Sequence, residues 1–307
     1  MLLLWKGCYF MVFRRILLAF MLCFTAGLLG YLAFDAISPS HYVKEQTVTD
    51  DRGLQVKIPD YPTAVIPSDL RVSPIIETFA RESTVRDKNN TVIISLPKDA
   101  EYIEHKTVGG YPLVVIDMYS PSKVLEAYTK LGYIFHREDI ANSVTSDSKN
   151  AIDEAINLVS NQEKKKVLYL KSPYIVPKKG TIEDNILLES HAISIQDSDV
   201  ITEKEDEDSD SYMKVTKEEI EAFAPDVIIC KTDIIKRSII NDMPDLYAVK
   251  NEKVFSIEDT SYHFEFDEYH SIPAVIWVIK KAYDLNTPDP DKFFKWYVSA
   301  TKRHYKF

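Results

Sequence analysis

The segment Ser146-Asp-Ser-Lys-Asn-Ala-Ile-Asp-Glu-Ala-Ile-Asn-Leu-Val-Ser-Asn-Gln-Glu163 decides how the rest of the chain is read. Ala151, Ile152, Ala155, Ile156 and Val159 recur at spacings of three and four, which puts them on one face of a helix. Lys164-Lys165-Lys166 follows, and cationic side chains complement the negative end of a helix dipole. On each side of this segment, short apolar runs alternate with helical stretches. Such alternation favours parallel sheets wrapped by helices. Two series joined by one long helix imply an α/β chain of two lobes: residues 41–145, a connecting helix over 146–165, and residues 166–307.

Toward the N-terminus, Val43–Ile58 alternates around Asp51-Arg52-Gly53 and reads as a hairpin. Ala64–Ile66, Thr91–Ser95 and Pro112–Asp117 read as strands, and Pro74–Arg81 and Pro121–Lys130 as helices. Gly132 is expected to close the second helix, and Tyr133-Ile134-Phe135 to form one more short strand. Toward the C-terminus, Val167–Leu170, Val227–Cys230 and Lys253–Ile257 read as strands. Thr181–Glu189, Lys217–Phe223 and Ile234–Asn241 read as helices, with Ala274–Tyr283 and Asp291–Arg303 as closing helices.

The 307 residues suit one or two domains, and a hydrophobic content of 45% is ample for a core. A net charge of −10 sets aside a general nucleic-acid binder. Much of it lies in Glu203–Asp210, a block of like charge that reads as a solvated loop. Of Cys8, Cys23 and Cys230, only Cys230 belongs to the folded part, so no internal disulfide is expected there. Within Val227-Ile-Ile-Cys230 it reads as a small buried hydrophobe.

Arg14-Arg15 precedes Ile16–Phe34, an apolar run without a charge. Residues 1–40 are thus either a signal peptide or an N-terminal membrane anchor over 16–34. Phe34-Asp35-Ala36 lacks the small side chains of a cleavage site, and Cys23 follows residues too bulky for a lipoprotein acceptor. Met1 and Met11 both stand as starts. In either case the remainder is expected outside the cytoplasm.

Several stretches carry a resemblance. Val48-Thr-Asp-Asp-Arg-Gly-Leu-Gln-Val-Lys-Ile-Pro59, with Pro62 and Ala64–Ile66, forms an opening hairpin and first strand. Lys166–Leu188 pairs a strand with a loop and helix. Val215-Thr-Lys-Glu-Glu-Ile-Glu-Ala-Phe-Ala-Pro-Asp-Val-Ile-Ile229 is the strongest match, followed by Ala248–Phe255 and a tail bearing Pro273, Trp277, Asp291 and Phe294. Together these resemble the solute-binding proteins that serve ABC importers of iron siderophores, haem and vitamin B12. The chain departs from that pattern at Asn251-Glu252-Lys253, which lacks the usual glycine, and around Ser190-His191-Ala192, where a Gly-rich turn is common. The resemblance implies two Rossmann-like lobes, a ligand cleft between them, no intrinsic cofactor, and a ferric siderophore, haem or cobalamin as ligand. It also implies a monomer whose partner is a membrane permease. Glu218 falls at the position of a permease-docking glutamate in the C-terminal lobe, with Glu104 or Glu101 as its N-terminal counterpart. The plainer reading of Glu218 is a carboxylate at the positive end of a helix.

Ligands of open α/β sheets bind beyond the carboxyl ends of the strands. That rule nominates Ser68 and Arg71, Tyr119, Tyr174, and the loop Glu258–His270 with Tyr262, His263, Tyr269 and His270. Arg71 offers a planar fork to an anionic group. The aromatic rings offer flat surfaces to a planar ligand. His263 and His270 are the metal ligands of a second reading, in which a free transition metal is bound directly. A membrane-tethered sensory or assembly domain of the same fold is a third. The plainer reading of the loop is alternation, with Phe264 and Phe266 inward and Glu265 and Asp267 in water. No G-x-S-x-G, P-loop or H-E-x-x-H motif is present, and nothing argues for an enzyme.

Overall fold

The computed structural model describes residues 44–80, 89–98, 104–201, 211–258, 260, 265–285 and 289–302. The signal or anchor segment, Glu101, the acidic run, Tyr262, His263 and Phe264 lie outside the described residues. Among the described residues no helix is long and apolar enough to cross a membrane.

The chain enters as the expected hairpin, β1 (Glu45–Thr49) antiparallel to β2 (Gln55–Pro59). Asp50, almost fully buried, closes the turn by accepting the amides of Arg52 and Leu54, each at 3.0 Å. Gly53 supplies the left-handed residue, at φ 78. The first sheet has the order β3-β4-β6-β5. Its strands β3 (Ala64–Pro67), β4 (Thr91–Ser95) and β6 (Tyr111–Val115) are parallel, and β5 (Thr107–Val108) is an antiparallel edge. Helices α1 (Ser73–Glu77) and α2 (Pro121–Ile134) belong to this lobe.

Next comes α3 (Glu138–Val159), the longest helix among the described residues, which starts two turns before the segment read from periodicity and ends at Val159, so that Lys165 and Lys166 open the next strand and do not cap the helix. Its N-terminal half sends Ile140, Ala141 and Val144 into the core of the first sheet. Its C-terminal half sends Ala155 and Val159 into the core of the second, and Ile152 packs against both. Two expectations are corrected here. Gly132 does not close α2, and Tyr133-Ile134-Phe135 is no strand: α2 runs through Gly132 to Ile134. A Cβ on Gly132 would lie 2.4 Å from the Ala141 Cβ, so the glycine is there to let α2 and α3 touch.

The second sheet has the order β12-β11-β7-β9. Its strands, β7 (Lys165–Leu170), β9 (Ala192–Ile193), β11 (Val227–Cys230) and β12 (Val254–Ser256), are all parallel. Both faces are covered, as all-parallel sheets require. Val167, Tyr169, Val227 and Ile229 face one core, and Leu168, Leu170, Ile228 and Cys230 the other. Around them lie α4 (Ile182–Glu189), α5 (Lys217–Phe223), α6 (Asp233–Asp242), α7 (Tyr247–Lys250), α8 (Ser271–Tyr283) and α9 (Pro290–Lys302). A small ribbon, β8 (Ile175–Pro177) with β10 (Tyr212–Lys214), flanks the sheet. The fold is therefore α/β, with two Rossmann-like lobes joined by a long helix.

α9, read as a closing helix of the second series, is shared between the lobes. Phe294 lies in the second core, while Tyr297 lies in the first and bonds its hydroxyl to that of Tyr128 at 2.8 Å.

Two of the departures from the resembled pattern, at His191 and Glu252, fall on turns of one kind. His191 and Glu252 both have left-handed backbones, at φ 58 and φ 57, the region glycine enters without a steric penalty. Glu252 is exposed and turns the chain into β12. Glu252→Gly is expected to raise stability by about 0.5–1 kcal/mol in urea unfolding. Gly132→Val is expected to lose about 1–3 kcal/mol through overpacking against Ala141, with Ala141→Gly recovering part of the loss.

Candidate functional site

β3 ends at Pro67, and Ser68 and Asp69 lead into a 3-10 turn over Leu70–Val72. Asp69 caps that turn by accepting the Arg71 amide at 2.8 Å. Its Oδ2 also takes Arg71 Nε at 2.9 Å and Nη2 at 2.6 Å. The guanidinium is thereby fixed along one edge. Its other nitrogen, Nη1, lies 3.5 Å from Oε1 of Glu268. Arg71 is half exposed, whereas Glu268 is wholly buried and neither of its carboxylate oxygens accepts a hydrogen bond.

The second lobe ends two of its strands in lysines. Lys171 follows β7 and Lys231 follows β11. Lys231 pairs with Glu265 at 3.3 Å. Lys171 lies over the Tyr212 ring, 5.2 Å from its centroid, and the Tyr212 hydroxyl donates to Glu183 in the first turn of α4. Burial pushes the Lys171 ammonium below its usual value, and the like charge of Lys231 pushes it further. Burial, and then Glu183, push the Tyr212 phenol up, while the Arg71 charge acts on it in the opposite sense. Arg71 and Tyr212, from different lobes, are thus near enough for the charge of one to act on the other.

Hydrogen bonds tie α4 to the first lobe. Asn185 donates to the Tyr119 carbonyl at 2.7 Å. The Glu189 carboxylate accepts from the Ser122 amide at 3.0 Å and its hydroxyl at 2.9 Å, covering the N-terminus of α2.

The segment Glu265–His270 is anchored in both lobes. Phe266 stacks on Tyr169 of the second core at 4.8 Å. Tyr269 sits in the first core, its hydroxyl 2.6 Å from Thr301 Oγ1. Held between these anchors, Glu268 has its charge where solvent cannot reach it. Burial is the main cause that pushes its carboxyl up to about 7, with its own backbone amide and then Arg71 opposing, and Asp267 and Glu183 adding.

The residues nominated from sequence therefore separate. Arg71 and Tyr119 lie close enough for the Tyr119 phenol to act on the Arg71 charge. Ser68 is exposed at the end of β3, its amide bonded to the Ile94 carbonyl at 2.9 Å. Tyr174 points away, its hydroxyl 3.4 Å from Asp242 at the end of α6. Tyr269, expected to line the cleft, is instead a core residue, because its hydroxyl has Thr301 and its ring packs edge-to-face and tilted among aromatic neighbours. His270 holds Asp267 at 2.9 Å and stacks on Phe294. Among the described residues no three His, Cys, Asp or Glu side chains gather to hold a metal, and His263 lies outside them. Glu218 and Glu104 are exposed.

Sequence reading missed Glu268, Glu183, Tyr212, Lys171 and Lys231 as individual residues. For Glu268 the signal was present: the alternation that carries Phe266 inward also carries Glu268.

No family model matches the sequence, and no curated protein matches it. The fold is similar to solved structures. One is an ABC transporter solute binding protein from Sulfurospirillum deleyianum, with a TM-score of 0.62 and 16% identity over 83% of this chain and 94% of that one. A second is Helicobacter pylori CeuE in a Ni-His complex, with a TM-score of 0.60 and 12% identity over 84% and 95% of the two chains. A third is the TroA-like periplasmic binding protein FepB from Veillonella parvula, with a TM-score of 0.60 and 14% identity over 83% and 95%. At these identities the likeness establishes the fold.

A carboxyl raised from about 4.5 to about 7 binds more protons in the folded than in the unfolded state across that window. Stability therefore falls as pH rises from 4.5 to 7, by on the order of 2–4 kcal/mol, and no further above it. Glu268→Gln is expected to flatten this slope and to melt higher than the parent chain at pH 8 but not at pH 5. Parallel pH profiles of the two chains would refute the assignment.

Proposed function

We propose that this chain is the extracytoplasmic ligand-capturing component of an ABC importer, taking a metal chelate into the gap between its lobes and delivering it to a membrane permease. One observation supports the reading: residues after strands of both sheets, Arg71 and Lys171, come together with Tyr212 and the buried Glu268, Arg71 lying 3.5 Å from Glu268 and Lys171 over the Tyr212 ring. Protein interiors rarely keep a carboxylate without hydrogen bonds, and such groups cluster where a ligand completes them. The fold supports the same role, because structures similar to this one are solute-binding proteins of ABC transporters. An iron chelate, haem or a corrinoid is the ligand class the sequence resemblance favours. Cys230 offers no competing chemistry, since burial pushes its thiol up to about 12.

Three shared elements, α3, α9 and the segment Glu265–His270, bind the lobes to one another. Capture then proceeds with little change in lobe orientation, and recognition falls to the side chains already in the gap. Glu218 on α5 and Glu104 before β5 are the docking carboxylates of this reading, and residues 1–40 the export signal or anchor.

A thermal-shift series with ferric catecholate, ferric hydroxamate, nickel–histidine, haem and cobalamin tests the proposal. A ligand at about 100 times its Kd adds about 2.7 kcal/mol of stability. Arg71→Ala is expected to weaken binding by about 1.5–3 kcal/mol, the worth of a charge-assisted hydrogen bond. Glu218→Ala with Glu104→Ala should leave binding intact and lower uptake by cells. No shift with any of the five would reject metal-chelate capture.

A further inference from the structure

A cavity of about 150 Å³ lies on the second lobe, beside the outer strand of its sheet. β12 gives it Phe255 and Ser256, α8 gives Trp277, Lys280 and Lys281, and the first turn of α9 gives Asp291. Arg71, Lys171 and Tyr212 have no part in its lining. Its donors are in place and not used up by the chain. Ser256 is buried, its hydroxyl oxygen accepts the Glu258 amide at 3.2 Å, and its proton has no acceptor among the described residues. Lys280 is half-buried, and its ammonium makes no hydrogen bond or ion pair among the described residues. The Lys281 ammonium rests on the aromatic wall, 4.7 Å from the centre of the Phe255 ring and 5.7 Å from that of Trp277. A cation lying on two rings is held in place and loses part of its hydration.

Two ammonium groups and a buried hydroxyl thus stand against one carboxylate, that of Asp291, which is exposed and screened by solvent. Phe255 and Trp277 meet edge to face, with centres 6.4 Å apart, and supply an apolar corner. An apolar recess with a few convergent polar groups is the make-up of a small-molecule site, and 150 Å³ is room for a body the size of benzene. We propose that this cavity is a second binding site, for a small organic carboxylate with a flat apolar body. The carboxylate takes a charge-assisted hydrogen bond from Lys280 and a hydrogen bond from Ser256, and the body lies in the corner of Phe255 and Trp277. A cation of the same shape meets two like charges there, and an anion without the body leaves the corner unfilled. The site is separate from the lobe junction, and neither assignment depends on the other.

Calorimetry on the full-length chain tests this with three probes: benzoate, benzylammonium as the same body with the opposite charge, and inorganic phosphate as charge without the body. Benzoate is expected to bind saturably and at least about tenfold more tightly than either of the others, the difference one charge-assisted hydrogen bond supports. Lys280→Met is expected to weaken benzoate about tenfold, Ser256→Ala to weaken it less, and Asp291→Asn to tighten it. Lys280 has no partner to lose, so its replacement leaves the fold intact, which a thermal melt checks. Absence of benzoate binding, a preference for benzylammonium or phosphate, or parental affinity in Lys280→Met overturns the proposal. Loss of benzoate binding in Arg71→Ala places the anion at the lobe junction and overturns it too. The comparison of the three probes on the unaltered chain needs no variant and decides the ligand class by itself.

Discussion

A single apolar stripe on α3 is divided between two cores, and the architecture follows from that division. Ile140, Ala141 and Val144 leave water on one side of the molecule, Ala155 and Val159 on the other. Each buried valine or isoleucine contributes about 1.5–3 kcal/mol. Neither lobe can shed the helix without exposing its own share. Gly132 tightens the arrangement by bringing α2 against the first half of α3. The helix is thus a strut whose two ends are each part of a folded core.

Two further elements repeat the device. α9 gives Phe294 to one core and Tyr297 to the other, and Glu265–His270 gives Phe266 to one and Tyr269 to the other. Three crossings make a stiff frame. In such a frame a strained or unsatisfied group can persist, since its surroundings do not yield to relieve it. Glu268 is that group. It sits between the anchors Phe266 and Tyr269, out of water and beside an arginine too distant to bond it. Moving it into solvent would pull an aromatic ring from one core or the other.

The elements read from sequence were those whose burial is local and periodic. The hairpin around Gly53, the strands Val65, Val92, Leu168 and Ile228 belong to, and the helix Lys217–Phe223 all announce themselves by alternation, apolar runs or turn chemistry. Errors arose where a residue serves a distant partner. Gly132 looks like a helix stop in one dimension, and is a contact with Ala141 in three. The first two turns of α3 were missed because their apolar residues answer to the first sheet, whereas the stripe read from spacing answers to the second. The glycines absent at His191 and Glu252 left the turns in place, because neighbouring hydrogen bonds hold the left-handed backbone: the His191 carbonyl accepts from Tyr283, and the Glu252 amide reaches the Val249 carbonyl.

For the candidate site, sequence nominated loops by their place after strands, because strand order along the chain decides where carboxyl ends fall. Two of the residues it named, Arg71 and Tyr119, lie where the lobes meet: Arg71 beside Glu268, and the Tyr119 carbonyl under the Asn185 amide. It did not decide which members of an aromatic and acidic loop turn inward. Tyr269 and Glu268 are neighbours, yet one completes a core and the other carries a buried charge, and that difference comes from Thr301 on α9 and Arg71 on the opposite lobe. Local pattern depends on the chain's own geometry and is written in consecutive residues. Solvent exclusion and charge pairing across lobes depend on segments far apart in the chain, so only the tertiary structure decided them.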